Sequence, residues 1–83
     1  MLNVAKKKIK TSDLYFAAFL KTAGFNLDDI VNSPDGRKMF FVYEDNNNML
    51  LKTRTDYING IAKVSAKDLI DNIRALKTLT TME

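Results

Sequence analysis

The chain has no cysteine, no histidine and no tryptophan among its 83 residues. Without cysteine it has no disulfide, no thiolate zinc site and no cysteine nucleophile. Without histidine it lacks the side chain that proteins most often use for proton transfer and metal binding near neutral pH. Its serines therefore have no imidazole to activate them. We expect a protein that is not an enzyme, with no catalytic residue, no metal site, no cofactor and no small-molecule substrate.

Glycine and long hydrophobic runs are also scarce. Gly24, Gly36 and Gly60 each stand where a helix or a turn is expected to end, which leaves no glycine for a phosphate-binding loop. The longest apolar run, residues 14–20, has seven residues, whereas a membrane-spanning helix needs about 20. Residues 1–5 are too short for an export signal, and lysines follow them instead of preceding them. We expect a soluble cytoplasmic protein with no membrane partner.

Positive charge is concentrated at the N-terminal end. The net charge is +3, but residues 1–10 hold four lysines and no acid. The other 73 residues carry 9 basic and 10 acidic groups, a net charge of −1. We therefore divide the chain into a basic arm, residues 1–10, and a single domain, residues 11–80. With 46% apolar and 28% charged residues, the composition is that of an ordinary globular domain.

The hydrophobic pattern predicts an α+β domain. A helix is expected at residues 13–23, with Ser12 accepting from the free N–H groups of its first turn and Asp13 suited to its positive start. The Ser33-Pro34-Asp35-Gly36 turn predicts a hairpin between strands at residues 25–31 and 37–44, with a bulge or an early bend at the Asp28-Asp29 pair. Two more helices are expected, one at residues 49–59 and one that opens at Ser65. The result is a two-stranded antiparallel hairpin packed with three helices, in the order α-β-β-α-α.

Two features of this arrangement need further partners. A lone hairpin is marginally stable, so it must be covered by helices, extended by residues 4–10 as a third strand, or paired with the edge of another subunit. The helix at 13–23 is apolar on nearly every side. It is therefore either sandwiched between the sheet and other helices, or in contact with a second molecule. For the second case we predict an interface at Tyr15 and Phe16.

Basic and aromatic residues together favour nucleic-acid binding. Arg37 and Lys38 precede Phe40, Phe41 and Tyr43 in the second strand of the hairpin. Aromatic side chains on an open sheet beside basic groups bind single strands by stacking. One alternate set of the strand, Phe40 and Val42 or Phe41 and Tyr43, is needed for the core, which leaves the other exposed. The predicted phosphate contacts are Lys6, Lys7, Lys8, Lys10, Arg37 and Lys38.

Four segments resemble a small family of unknown function found in bacteria and their phages. They are residues 9–20 (IKTSDLYFAAFL), 40–45 (FFVYED), 56–60 (DYING) and 65–71 (SAKDLID). The first is similar to a KTSDLYLAAFL pattern at the start of the relatives, and the resemblance covers about residues 9–79. It implies no activity, cofactor or catalytic residue, and its phage association favours a host-interacting or nucleic-acid accessory protein.

Two functions are therefore expected. The first is a small non-catalytic protein, of phage or bacterial origin, that binds nucleic acid. The alternative is a protein-interaction module, either a homodimer or an inhibitor of a host protein.

Overall fold

The computed structural model describes residues 7–45 and 49–81, and only the backbone of Lys7 and Thr81. The elements run in the order β-α-β-β-α-α. They are β1 (Lys7–Thr11), α1 (Leu14–Thr22), β2 (Leu27–Asn32), β3 (Met39–Asp45), α2 (Leu50–Ile58) and α3 (Ala66–Thr81). The α+β class is confirmed.

The sheet has three antiparallel strands in the order β1-β3-β2, so the predicted two-stranded hairpin and the order α-β-β-α-α are corrected. The third strand comes from residues 7–11. Residues 1–10 were predicted to be a basic arm, with a third strand at residues 4–10 only as one alternative, which the structure confirms with shifted bounds. This segment forms a strand because apolar and charged side chains alternate around Ile9. Ile9 lies opposite Tyr43 and packs against the core, while Lys8 and Lys10 alternate with it and stay exposed.

The hairpin between β2 and β3 has the irregularity that its acidic pair predicted. The register shifts between Leu27 and Asp29, so Asp28 is the extra residue of a bulge. The turn closes through the Gly36 N–H, which donates to the Ser33 carbonyl over 2.9 Å. Gly36 has φ 73°, in the left-handed region that favours glycine.

Helix α1 is sandwiched between the sheet and the other helices, which is the first of the two alternatives predicted for its apolar surface. Residues 16–20 are all buried. Phe16 and Phe19 each lie 4.9 Å from the Tyr57 ring of α2, measured between ring centroids. Helix α3 packs on α1 through the fully buried Leu76. The helix begins at Leu14, and its N-cap is Asp13, not Ser12, because the Asp13 carboxylate accepts hydrogen bonds from two backbone N–H groups.

Within the described ranges, no helix combines the length and the apolar character required to cross a membrane.

Candidate nucleic-acid interface

Alternate residues of β3 face opposite sides of the sheet. Phe41 and Tyr43 belong to the core that the helices cover. The Tyr43 hydroxyl donates to the Ala17 carbonyl over 2.7 Å, which ties the sheet to α1. Burial raises the pKa of Tyr43 to about 12. Phe40 and Val42 therefore lie on the other side, which we call the outer face.

Aliphatic, aromatic and basic side chains meet on the outer face because of the strand register. Val31 of β2 lies opposite Phe40, and Lys10 of β1 lies opposite Val42. Lys10 is therefore a diagonal neighbour of Phe40, within reach of a long side chain. Phe40 is half-buried, so part of its ring is accessible. The sequence predicted that the set away from the core would be exposed, but Val42 is buried, with 7% of its surface exposed, and only Phe40 of the two is partly accessible.

One end of the outer face is acidic. Lys8 lies opposite Glu44, and its ammonium group is 2.8 Å from the Asp28 carboxylate of β2. The hydrogen bond and the charge of Asp28 raise the pKa of Lys8, and the charges of Glu44 and Asp29 act in the same direction. Lys8, one of the predicted phosphate contacts, is thus engaged by carboxylates.

The opposite end is basic. Arg37 and Lys38 were predicted to open the strand, but β3 begins at Met39 and both residues lie exposed in the turn. The Asp35 carboxylate fixes this turn by accepting from the Ser33 hydroxyl over 2.5 Å and from the Arg37 N–H over 3.0 Å. Both hydrogen bonds lower the pKa of Asp35. Because the bond to Arg37 uses the backbone, the guanidinium group is not part of it.

The cations of the basic end carry no ion pair with any other described side chain. Where both partners are described, ion pairs join Lys8 to Asp28, Lys52 to Asp56 and Lys67 to Asp71. Lys10, Arg37 and Lys38 are in none of these. Of the remaining predicted contacts, Lys6 lies outside the described residues, and for Lys7 the structure gives only a backbone position in β1.

The two residues of the predicted protein interface have different surroundings. Tyr15 is 55% exposed, whereas Phe16 is buried against Phe19 and Tyr57. Of these two residues, Tyr15 has surface that a partner could contact, and Phe16 does not. Sequence reasoning missed the exposed apolar side chains of α2, Leu51 and Ile58. Their spacing of seven residues, beside the inward-facing Leu50 and Tyr57, is the signal that indicates a second apolar stripe.

No group of three acidic side chains suited to a metal ion is found in the part of the chain that the structure describes.

The chain matches the family model DUF5659, a domain of unknown function, over residues 6–82, and it therefore belongs to this family. Comparison with curated proteins and with solved structures gives no match.

Proposed function

We propose that this member of the DUF5659 family is a small, non-catalytic nucleic-acid-binding accessory protein. In this proposal a single strand lies over the basic end of the outer face. A base stacks on Phe40, and neighbouring phosphates contact Lys10, Arg37 and Lys38. Such a protein, of bacterial or phage origin, acts in the cytoplasm, where the nucleic acid is.

The observation that carries the proposal is the half-buried Phe40 beside cations that have no carboxylate partner among the described residues. Every base has a π-face, so stacking on one aromatic ring is worth about 1–3 kcal/mol and tolerates any sequence. The acidic end, with Asp28 and Glu44, supports a short site and not an extended one, because phosphates avoid it. Asp29 lies opposite Val42, in the row of Lys10, and limits the site on that side. A duplex would span both ends of the sheet, so the proposal favours single strands.

The number of contacts sets the salt dependence. For single strands, each neutralised phosphate contributes about −0.7 to the slope of log K against log salt. Three contacts from Lys10, Arg37 and Lys38 give a slope of about −2, or roughly 15- to 20-fold weaker binding at 200 mM than at 50 mM salt. Lys6 and Lys7 would add to this slope, so the chain without residues 1–6 and the full chain must be compared. A deletion of residues 1–10 would remove most of strand β1 and is not a suitable variant.

The test is a fluorescence anisotropy titration of labelled single-stranded and double-stranded oligonucleotides at both salt concentrations. Phe40→Ala is expected to weaken single-strand binding by about 5- to 150-fold, the loss of one stacked base. The matched control is Leu51→Ala, which also truncates an exposed apolar side chain but on α2, and it should bind as the wild type does. Binding that ignores salt, or that Phe40→Ala leaves unchanged, contradicts the proposal.

Exposed apolar surface on α2 favours homodimer formation as a second candidate function. Leu51 is 73% and Ile58 69% exposed, and they lie on one face of the helix. A twofold axis across the middle of α2 brings Leu51 of one copy against Ile58 of the other. The Lys52–Asp56 ion pair beside them then places opposite charges in reciprocal positions. Tyr15, at the start of α1, supplies further exposed apolar area.

Sedimentation velocity over a range of protein concentrations tests this second candidate. A dimer that Ile58→Glu dissociates and Ile70→Glu retains supports it, since Ile70 is an exposed apolar residue on α3. A chain that stays monomeric at every concentration rules the homodimer out and leaves a host protein as the partner to seek.

A further inference from the structure

We propose that the free edge of β1, together with the groove beside it, binds an extended segment of a partner protein in which apolar and acidic side chains alternate. The sheet order β1-β3-β2 leaves β1 and β2 as the two edges. A strand at an edge has unpaired backbone groups, to which another extended chain can be added. Neither Phe40 nor the hairpin turn takes part, so this site does not depend on the proposed function.

The backbone groups on the free side of β1 belong to Lys8 and Lys10. The Ser33 N–H donates to the Lys38 carbonyl over 2.9 Å, which makes this pair a hydrogen-bonded pair of the hairpin. Such pairs alternate along antiparallel strands, so the backbone groups of Val42 point toward β2. Lys10 lies opposite Val42, and its N–H and carbonyl therefore point away from β3. Lys8, two residues earlier, has the same orientation.

The edge of β2 differs because a side chain of the strand itself blocks it. Ile30 lies opposite Phe41, between two hydrogen-bonded pairs, so its N–H points to the free side. The Asp29 carboxylate accepts a hydrogen bond from this N–H over 2.8 Å. The bulge at Asp28 also bends the strand. No hydrogen bond from a described side chain blocks the free side of β1 in this way, so β1 is the edge that is open to an added strand.

A groove beside this edge provides space for a side chain of the added strand. It lies on the helix-covered side, between β1 and α2, and measures about 240 Å³. Its apolar lining comes from Ile9, Phe16, Tyr57 and Ile58. The volume is below the range of about 300–1,000 Å³ that is usual for small-molecule sites. The groove therefore suits a single apolar side chain of a bound segment.

The charges around the groove favour an acidic partner. Lys10 and Arg54 are cations of its lining, and neither is in an ion pair with a described side chain. The lining also contains Asp13, whose carboxylate accepts hydrogen bonds from the Tyr15 and Phe16 N–H groups at the positive end of α1. The charge that is left without a partner is positive, so carboxylates of a bound segment are attracted to this edge.

Strand geometry converts these observations into a sequence pattern. Successive side chains of an added strand point to opposite sides of the sheet. Those on the helix-covered side lie against Ile9 and Tyr57, where apolar groups are favoured. Those on the outer face lie beside Lys10, where carboxylates are favoured. The partner segment is therefore extended, with apolar and acidic residues in alternation.

A second copy of this chain fits the edge poorly. Antiparallel pairing of β1 with the β1 of another copy brings Lys8 and Lys10 of one chain against the same lysines of the other. Like charges opposite each other on paired strands are destabilising, and lysines at an edge protect proteins against such pairing. An acidic segment replaces this repulsion with attraction.

The test is a fluorescence anisotropy titration of the full chain with labelled eight-residue peptides. The probe alternates glutamate and valine. Two comparison peptides alternate lysine and valine, or place four glutamates before four valines, and both should bind more weakly than the probe. Two more carry N-methyl groups on two glutamates or on two valines. Only one side of the added strand faces β1, so one N-methylated peptide should bind about 5- to 150-fold more weakly, the loss of two hydrogen bonds, and the other should bind as the probe does.

Two variants of the chain separate charge from backbone. Lys10→Gln should weaken binding of the probe by up to about fivefold, the share of one exposed charge. Lys10→Pro removes the same charge and also the edge N–H, and should bind about 2- to 12-fold more weakly than Lys10→Gln. Proline is tolerated there because this N–H points away from β3, and circular dichroism checks that the fold is kept. Lys63→Gln, outside the groove, and Phe40→Ala should bind the probe as the wild type does.

Several results would overturn the proposal. They are no binding of the probe, equal binding of the glutamate and lysine peptides, and equal effects of the two N-methylated peptides. A dimer in sedimentation velocity that Lys10→Pro dissociates would identify a second copy as the occupant and overturn it as well. Because Phe40→Ala separates the two sites, none of these results decides whether the outer face binds nucleic acid.

Discussion

Phe40 and Phe41 are adjacent residues of one strand with the same side chain, and they have opposite surroundings. Phe41 is buried under the helices, while Phe40 lies on the outer face beside Lys10. The core needs Phe41 to fold, and the outer face does not need an aromatic ring for that purpose. Alternate residues of one strand therefore have different roles: Phe41 serves the core, and Phe40 is left for the binding that we propose.

A second comparison holds along the outer face itself. Lys8 and Lys10 are two residues apart on the same side of β1. Lys8 is held by Asp28, with Glu44 and Asp29 nearby, whereas Lys10 lies beside Phe40 and Val42. The two lysines have the same chemistry in isolation, so their neighbours on β2 and β3 decide which of them is available to a phosphate.

The largest expected effect is a difference between Phe41 and Phe40 in their contribution to the free energy of unfolding. Phe41→Ala should lower the free energy of unfolding by about 3–5 kcal/mol, because it removes a ring from the centre of the core. Phe40→Ala should cost about 1 kcal/mol, since the ring is only half-buried. Urea denaturation followed by circular dichroism measures both. If Phe41→Ala is unfolded from the start, Phe41→Leu provides the core variant. Equal losses at the two positions would contradict the assignment of the faces.

The second effect is a dependence of the unfolding free energy on pH, caused by the buried hydroxyl of Tyr43. Its folded pKa of about 12 lies above the ordinary value of 10.0, so the unfolded chain loses this proton first as the pH rises. The contribution to stability is complete below pH 10 and falls by roughly 1.4 kcal/mol per pH unit from there to the folded pKa. Tyr43→Phe lacks this decline, so its unfolding free energy should fall less between pH 10 and pH 12. The two curves running parallel would show that the hydroxyl is not buried.

The third effect is a difference between Lys10 and Lys8 in their contribution to single-strand binding. Lys10→Gln should weaken single-strand binding about fivefold at low salt and reduce the salt slope by about 0.7, the share of one phosphate contact. Lys8→Gln is the matched control on the same strand and should leave the slope unchanged, because its charge is already engaged by Asp28. Equal effects of the two substitutions would show that the ion pair does not withhold Lys8.

The smallest expected effect is on single-strand binding when Lys8 loses its ion-pair partner. Asp28→Asn removes the carboxylate of the ion pair and one negative charge from the acidic end. We expect single-strand binding to strengthen by about two- to threefold, with little change in stability, because salt bridges near the surface contribute little. The change should vanish in Lys8→Gln, Asp28→Asn if Lys8 supplies the gain. Weaker binding by Asp28→Asn would contradict the description of this end as repulsive to phosphates.

Local patterns in the sequence predicted much of the fold. The turn at Pro34-Asp35, the bulge near Asp28 and the three helices all follow from residue types at short range. A third strand at residues 4–10 was one of three alternatives for completing the hairpin, and the sequence did not select it because lysines dominate the composition of that segment. The alternation of Lys8, Ile9 and Lys10 is the signal of a strand, but three residues are too few to outweigh the charge.

The site required information that lies far apart in the chain. Either alternate set of β3 is apolar enough to face the core, so the pattern alone does not decide between Phe40 and Phe41. The Tyr43 bond to the Ala17 carbonyl belongs to the chosen orientation, and it joins residues 26 positions apart. The Lys8–Asp28 pair likewise joins two edge strands across β3. Such contacts depend on the sheet order, which no local motif of this sequence specifies.

Amide chemical-shift mapping by NMR tests the central claim, that the basic end of the outer face binds single-stranded nucleic acid. A ¹⁵N-labelled chain of this size is titrated with a short oligonucleotide. The account predicts that the largest shifts fall at Lys10, Val31 and residues 37–42, with little change along α2. Shifts concentrated at Leu51 and Ile58, or no shifts at a saturating concentration, would contradict it.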